Sequence, residues 1–391
     1  MEFKKKCLDD SEFKIAQKKA FEEFLNIDAN KMAEYIAKYL DLHLRKSFKT
    51  KIVHSDEEME TIIQDTMAIF KYIHAKDVFQ AFYLKGLWTR LLHKKSQSSD
   101  AEKYVLLVLK RECGDDFTQK IEGMIQDISK SEIIMQEYAA HLGTKDKDNE
   151  IKVLTQGNWP VQSRVQVNIP QDLKEPFGNF EKYYKMKHQG KALRWSPYFS
   201  FCTLEGTFDW SKPKQRTILL EVSLIQAAVL LLFNEQLAYT FQQIMTELDV
   251  EEETLEGVLV SLASMKYKVL SKSNATSRSI SRDESFSVND GFKSKLKKIS
   301  IPATTKKQSQ QESEETHVRV QEDRKYLLEA LIVQQMKKHG QLEHTALVNE
   351  IFMNVKFPLT HDTIKGRIES LIGRDYMEVS DSNSSMYLYI A

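Results

Sequence analysis

The chain has 391 residues, with 56 Lys+Arg balancing 56 Asp+Glu, which is enough for two or three domains and gives no net field toward nucleic acid or an anionic membrane. Its three cysteines, Cys7, Cys113 and Cys202, stand far apart without CxxC spacing, which argues against a disulfide framework or a zinc ribbon and for a reducing compartment. No run reaches the ~18 apolar residues of a membrane span, and the start, MEFKKKCLDD, lacks the apolar stretch of a secretory signal, so cytoplasm and nucleus are the expected locations.

Residues 1–145 read as helix almost throughout. Ser55-Asp-Glu-Glu58 has the pattern of a capping box for a helix carrying Met59, Ile62, Ile63, Met67, Phe70 and Ile73. Ser99-Asp-Ala-Glu102 has the same pattern before Val105, Leu106 and Leu109, and Gly114 reads as the stop of that helix. Amphipathic helices joined by short loops bury one another's stripes, so a helical bundle is expected here.

From residue 146 the character changes. Gly157-Asn-Trp159-Pro160 and Asn168-Ile-Pro170 are loop signals, and Phe177–Lys187 reads as a short aromatic helix. Strands are expected at Ala192–Ser196, Phe199–Phe208 and Thr217–Val222. The edge of such a small sheet must be blocked or lent to a partner. Leu224–Phe233 is apolar on nearly every face and belongs in a core.

Two later stretches echo each other in the order helix, helix, strand: Thr240–Leu248, Glu253–Leu262 and Tyr267–Leu270, then Thr345–Met353, Thr363–Leu371 and Tyr376–Val379. The second set is preceded by a helix with Leu327, Leu328, Leu331, Ile332 and Met336, stopped by Gly340, and is followed by MYLYIA, which is the outline of a winged helix. Between the sets, Ser271–Ser285 and Thr304–Thr316 are polar and read as loop or disorder, with strands expected at Phe286–Val288 and Phe292–Ile301.

The expected architecture is therefore mainly α with a small β component. It comprises a helical bundle over 1–145, an α/β sheet region over 146–222, a first winged-helix unit with following strands over 223–303, a polar linker over 304–322 and a C-terminal winged helix over 323–391. No HExxH, Walker loop, GxSxG, GxGxxG or metal-spaced Cys/His set occurs, so a self-contained enzyme, a metal centre and a bound cofactor are not expected. A winged helix also raises DNA binding, but the last helix mixes His361, Asp362, Lys365, Arg367, Glu369 and Arg374 rather than presenting a basic stripe, so nucleic acid is disfavoured.

The C-terminal stretch resembles the neddylation domain of cullins at Ala330-Leu-Ile-Val-Gln-Gln-Met-Lys337, Lys356-Phe-Pro358, Lys365–Ile372, Arg374–Glu378 and Tyr389-Ile-Ala391. Phe70–Phe79, Arg90-Leu-Leu92, Lys120–Met124, Thr155–Pro160 and Lys191–Trp195 carry the resemblance through the rest of the chain, nearest the cullin-4 type. It implies a non-catalytic scaffold of a cullin–RING ubiquitin ligase, with Lys337 accepting a ubiquitin-like modifier. It also implies RING-box docking on the sheet region through Trp159, Leu193, Trp195, Leu204 and Leu220. Arg90, His93, Lys94 and Lys95 become a candidate basic patch for the ubiquitin-conjugating enzyme. A signalosome-type deconjugating complex is a further implied partner.

The family's adaptor-binding N-terminal arm has no counterpart in this sequence, so no substrate adaptor is expected on it, and a decoy that sequesters RING subunits is the alternative. The family run before the acceptor usually reads Ile-Val-Arg-Ile-Met-Lys; here it is Ile332-Val-Gln-Gln-Met-Lys337.

Overall fold

The computed structural model describes residues 11–46, 54–143, 149–160, 167–208, 216–264, 266–274, 280–303, 306–381 and 383–390. Cys7 with the MEFKKKCLDD start, part of the Ser271–Ser285 stretch, Thr304 and Ala391 lie outside them.

The chain opens with α1 (Ser11–Leu25), α2 (Ala29–Leu44), α3 (Asp56–Phe70), α4 (Lys76–Leu92), α5 (Ser99–Cys113) and α6 (Asp115–Leu142). The capping box that starts α3 is reciprocal: the Glu58 N–H donates to Ser55 Oγ at 3.2 Å and the Ser55 N–H donates to Glu58 Oε2 at 3.0 Å. The box expected at Ser99 does not form. Ser98 caps α5 instead, accepting from the N–H groups of Asp100 and Ala101. Glu102 is unavailable to complete a box because its carboxylate turns inward to Arg90. Gly114, at φ 87°, ends α5 as its sequence position suggests. Leu40, Leu44, Ile63, Met67, Phe70, Phe79 and Tyr83 are buried between these helices, with the Phe70 and Phe79 rings 4.5 Å apart.

After α7 (Gln171–Lys187) come β1 (Phe201–Phe208), β2 (Arg216–Ser223), α8 (Leu224–Leu232), β3 (Ala238–Thr240), α9 (Phe241–Leu248), α10 (Glu252–Ala263), β4 (Leu270–Lys272), β5 (Ser285–Val288) and β6 (Lys298–Ser300). The strand expected at Ala192–Ser196 is absent: Trp195 stacks on Phe177 of α7 at 4.5 Å, and Pro197 begins a short 3₁₀ turn. Only the end of the expected Phe292–Ile301 strand forms, pairing parallel to β2, because Ser294 turns the chain by accepting from the Leu296 N–H at 3.0 Å. As its composition requires, α8 is buried, with Ala227, Ala228 and Val229 inaccessible to solvent.

The chain closes with α11 (Lys306–His339), β7 (Gln341–Glu343), α12 (His344–Asn354), α13 (His361–Ile372), β8 (Met377–Ser380) and β9 (Asn383–Tyr389). The two echoing segments build the same object. One sheet has the order β3-β5-β4 and the other β7-β9-β8, so each places its third strand between the first and second. The polar linker expected over 304–322 is corrected from Lys306 onward, since that segment is the first half of the 34-residue α11. Its Gln, Glu, Lys and Arg residues are good helix formers with no Gly or Pro among them, and Val320 packs away from water.

The fold is mainly α with a small β component, and it packs as two compact units. One comprises Met1–Ser129, Val153–Pro160 and Ser313–Ala391; the other comprises Lys130–Lys152 and Val161–Glu312.

Candidate modification and docking sites

Lys337 lies in the last turn of α11, beside Lys338 and His339, and both lysines are exposed. Gly340, at φ 73°, stops the helix, and its N–H donates to the Met336 carbonyl at 2.8 Å. Leu328, Ile332 and Met336 face the winged-helix core with Leu347, Val348, Ile351, Ile364, Ile368 and Leu371. Leu327 and Phe352 are exposed. Lys337 thus sits one residue past the last core anchor, on a helix end fixed by β7 pairing to β9.

Gln335 breaks the pattern: it is 7% exposed, and its Oε1 has no hydrogen-bond partner among the described residues. A buried acceptor left unpaired is destabilising by ~1–3 kcal/mol. Gln335→Ile, which restores the residue of the family run at that position, is therefore expected to stabilise the winged helix by about 1–3 kcal/mol. Urea unfolding checks this as a raised midpoint with an unchanged slope.

The basic patch is corrected at its first residue. Arg90 is 0% exposed, its Nε 2.7 Å from Glu102 Oε1, its Nη2 2.9 Å from Glu102 Oε2, and its Nη1 bonded to Asp41. Burial alone would lower its pKa, but Glu102 and Asp41 raise it instead, so the guanidinium stays charged. Ser96 Oγ also donates to Glu102, at 2.7 Å. Gly86 permits this close packing, since a Cβ there would meet Asp41 Oδ1 at 2.6 Å. Among the other three, Lys94 is exposed at φ 52° while His93 and Lys95 are half-buried.

The docking residues divide between the two units. Trp159 belongs to the unit that holds α3–α5 and is buried, with its Nε1–H donating to Asp127 at 2.8 Å. The same carboxylate accepts from the Thr155 N–H and hydroxyl, each at 2.8 Å. That pairing makes Trp159 an internal anchor of the Thr155–Pro160 loop rather than a contact surface. Leu193, Trp195, Leu204 and Leu220 lie in the other unit, with Leu193 and Trp195 half-buried. Leu204 and Leu220 oppose each other across β1 and β2, and both face that unit's core, Leu220 at 2% exposure.

The sequence also implies a sheet edge that must be blocked or lent to a partner, and that edge is main chain. The sheet order is β1-β2-β6, so among the described residues β1 is an edge. The Leu224 N–H donates to the Ser200 carbonyl, while the Leu219 N–H donates to the Lys297 carbonyl on the other side of β2. Alternation then turns the polar backbone of Cys202 and Leu204 toward β2 and that of Thr203 and Glu205 toward the open edge. Thr203 and Glu205 have no backbone partner on that side among the described residues.

Arg367 of α13 and Arg374 just beyond it both pair with Glu329 of α11, at 3.5 and 2.7 Å.

Comparison with known proteins gives three family matches in chain order: the cullin alpha solenoid domain over residues 1–135, the cullin alpha+beta domain over 153–292 and the cullin protein neddylation domain over 323–383. The chain is 39% identical to mouse (Mus musculus) cullin-4A over 96% of its length and 49% of the relative's. It is 34% identical to Arabidopsis thaliana cullin-3A, over 98% of its length and 52% of the relative's. It is also 34% identical to Dictyostelium discoideum cullin-4, over 96% and 50%. The chain spans about half the length of these curated relatives.

Proposed function

As the chain belongs to the cullin family, we propose that it is a non-catalytic scaffold of a ubiquitin ligase that docks a RING-box protein and accepts a ubiquitin-like modifier on Lys337. The observation that carries the reading is an exposed lysine on a helix end inside the segment that matches the neddylation domain. In the transfer, the Lys337 Nζ attacks the thioester carbonyl carried by a conjugating enzyme. The C–S bond breaks, an isopeptide C–N bond forms, and the amine's proton leaves with the departing thiol. The scaffold contributes proximity: it fixes where the amine stands and leaves proton handling to the enzyme. The modifier would be removed again by a signalosome-type deconjugating complex.

The edge of β1 supports RING-box docking by strand addition, in which main-chain hydrogen bonds supply affinity and side chains set the register. Thr203 and Glu205 would provide the donors and acceptors. Proline is tolerated on an edge whose N–H faces outward, so Thr203→Pro is expected to keep the fold yet reduce RING-box recovery at least tenfold in a pull-down at moderate salt. Leu204→Pro, which removes a donor facing β2, is expected to destabilise the sheet itself. Failure of the unaltered chain to recover RING-box protein would reject the docking half of the reading.

A further inference from the structure

One stripe of α11 changes partner part-way along. Ser313, His317, Val320 and Arg324 follow the i, i+4, i+7, i+11 spacing of a single helix face, and Leu328 and Ile332 continue it. Upstream, that face meets the first helices. Ser313 Oγ donates to Glu34 Oε1 and His317 Nε2 meets Glu34 Oε2, each at 2.8 Å, while the His317 ring lies 5.0 Å from Phe82. Burial would raise the Glu34 pKa, but hydrogen bonds from Lys38, His317 and Ser313 outweigh it and bring the carboxyl to about 2. Downstream of Arg324 the same face enters the winged-helix core.

Arg324 stands at the changeover and holds both sides. Its Nε and Nη2 grip the two Asp77 oxygens at 2.5 and 2.7 Å in the first turn of α4, and Nη2 also reaches Asn30 Oδ1 at 3.4 Å. The Cζ of the same guanidinium lies 5.4 Å from the ring centre of Phe357, in the loop between α12 and α13. Only a planar fork with an aromatic-facing side can make both contacts at once.

We propose that Arg324 is a pin that fastens the winged helix to the helical unit through Asp77 on one side and Phe357 on the other. When the Arg324–Asp77 pair is broken, the winged helix detaches as an intact body. The pin lies ~20 Å along α11 from Lys337 at 1.5 Å per residue. Its use as a regulator of presentation of that lysine rests on the acceptor reading above; the pin itself does not.

The test is hydrogen exchange on the unmodified chain, comparing the 355–360 loop and the first turn of α4 in four variants: Asp77→Arg, Arg324→Asp, the double swap and Arg324→Lys. Each single reversal is expected to speed exchange of both segments about tenfold, the scale of a partly desolvated charge pair. The double swap should restore most of the protection, and Arg324→Lys should fall between because lysine keeps the charge but loses the fork. Peptides 328–336 and 364–371 must stay protected throughout, which reports an intact winged-helix core. Unchanged exchange in the single reversals would overturn the proposal. So would no rescue by the swap, or loss of core protection together with the loop. Because nothing is conjugated in this experiment, its failure leaves the Lys337 reading standing, and failure of conjugation leaves the pin standing.

Discussion

Arg90→Ala is expected to destabilise the helical unit by about 3–5 kcal/mol, enough to unfold it within a few degrees of working temperature. The magnitude follows from what remains. Removing the guanidinium leaves Glu102, buried at 2% exposure, with Ser96 and Tyr83 as its remaining side-chain donors among the described residues, and strands one oxygen of Asp41. A charge cannot stay unpaired in that place without protonating or drawing in water. Tyr83 shares the consequence, since burial and then the Glu102 charge already raise its pKa well above the ordinary range, so its hydroxyl must remain a neutral donor. Glu102→Gln keeps the shape and an acceptor, so it should be destabilising by less. Urea denaturation with far-UV circular dichroism separates the two variants. If Arg90→Ala behaves like a surface substitution, within ~0.5 kcal/mol of the unaltered chain, the buried network has been misjudged.

Arg90 also shows where a sequence stops being legible. Written out, Arg90, His93, Lys94 and Lys95 form a basic run, and nothing local reveals that the first of them points inward to partners 12 and 49 positions away. The same long-range pairing defeated the second capping box, because Glu102 was already committed to Arg90 and the cap moved to Ser98. Where the signal was local it could be read: the Ser55/Glu58 box, the stops at Gly114 and Gly340, and the apolar helix Leu224–Leu232 all depend on neighbours in sequence. The helix, helix, strand order of the two winged units was legible as an echo, but β3 and β7, at three residues each, are too short to carry a period and were not.

Two further differences have physical causes. The polar stretch that forms the first half of α11 looked unfoldable because it lacks apolar residues, yet His317, Val320 and Arg324 give the helix a single docking face built mostly of hydrogen bonds. Trp159 reads as a docking residue only through the cullin resemblance at Thr155–Pro160; its N–H instead satisfies Asp127 inside the same unit.

The largest functional effect is expected at Lys337, the proposed acceptor. Lys338 is its competitor, one residue away and about 100° around the helix. Rotation of that size aims the two amines differently, because α11 is held on both flanks, by Met336 in the core and by Gly340 against β9. An enzyme docked in one orientation can reach one amine in line with its thioester and not the other, and a misplacement of even ~1 Å can slow such a transfer by about 100-fold. Gln334, which stands where the family run has arginine, removes a charge next to the acceptor turn without touching the core, and is expected to change the rate rather than the site.

The most direct measurement is a reconstituted conjugation reaction with RING-box protein, conjugating enzyme and ubiquitin-like modifier, read by peptide mapping of the isopeptide bond. The account predicts a single linkage at Lys337 that Lys337→Arg abolishes and Lys338→Arg leaves nearly intact. Modification that persists in Lys337→Arg, or that vanishes in Lys338→Arg, would contradict it.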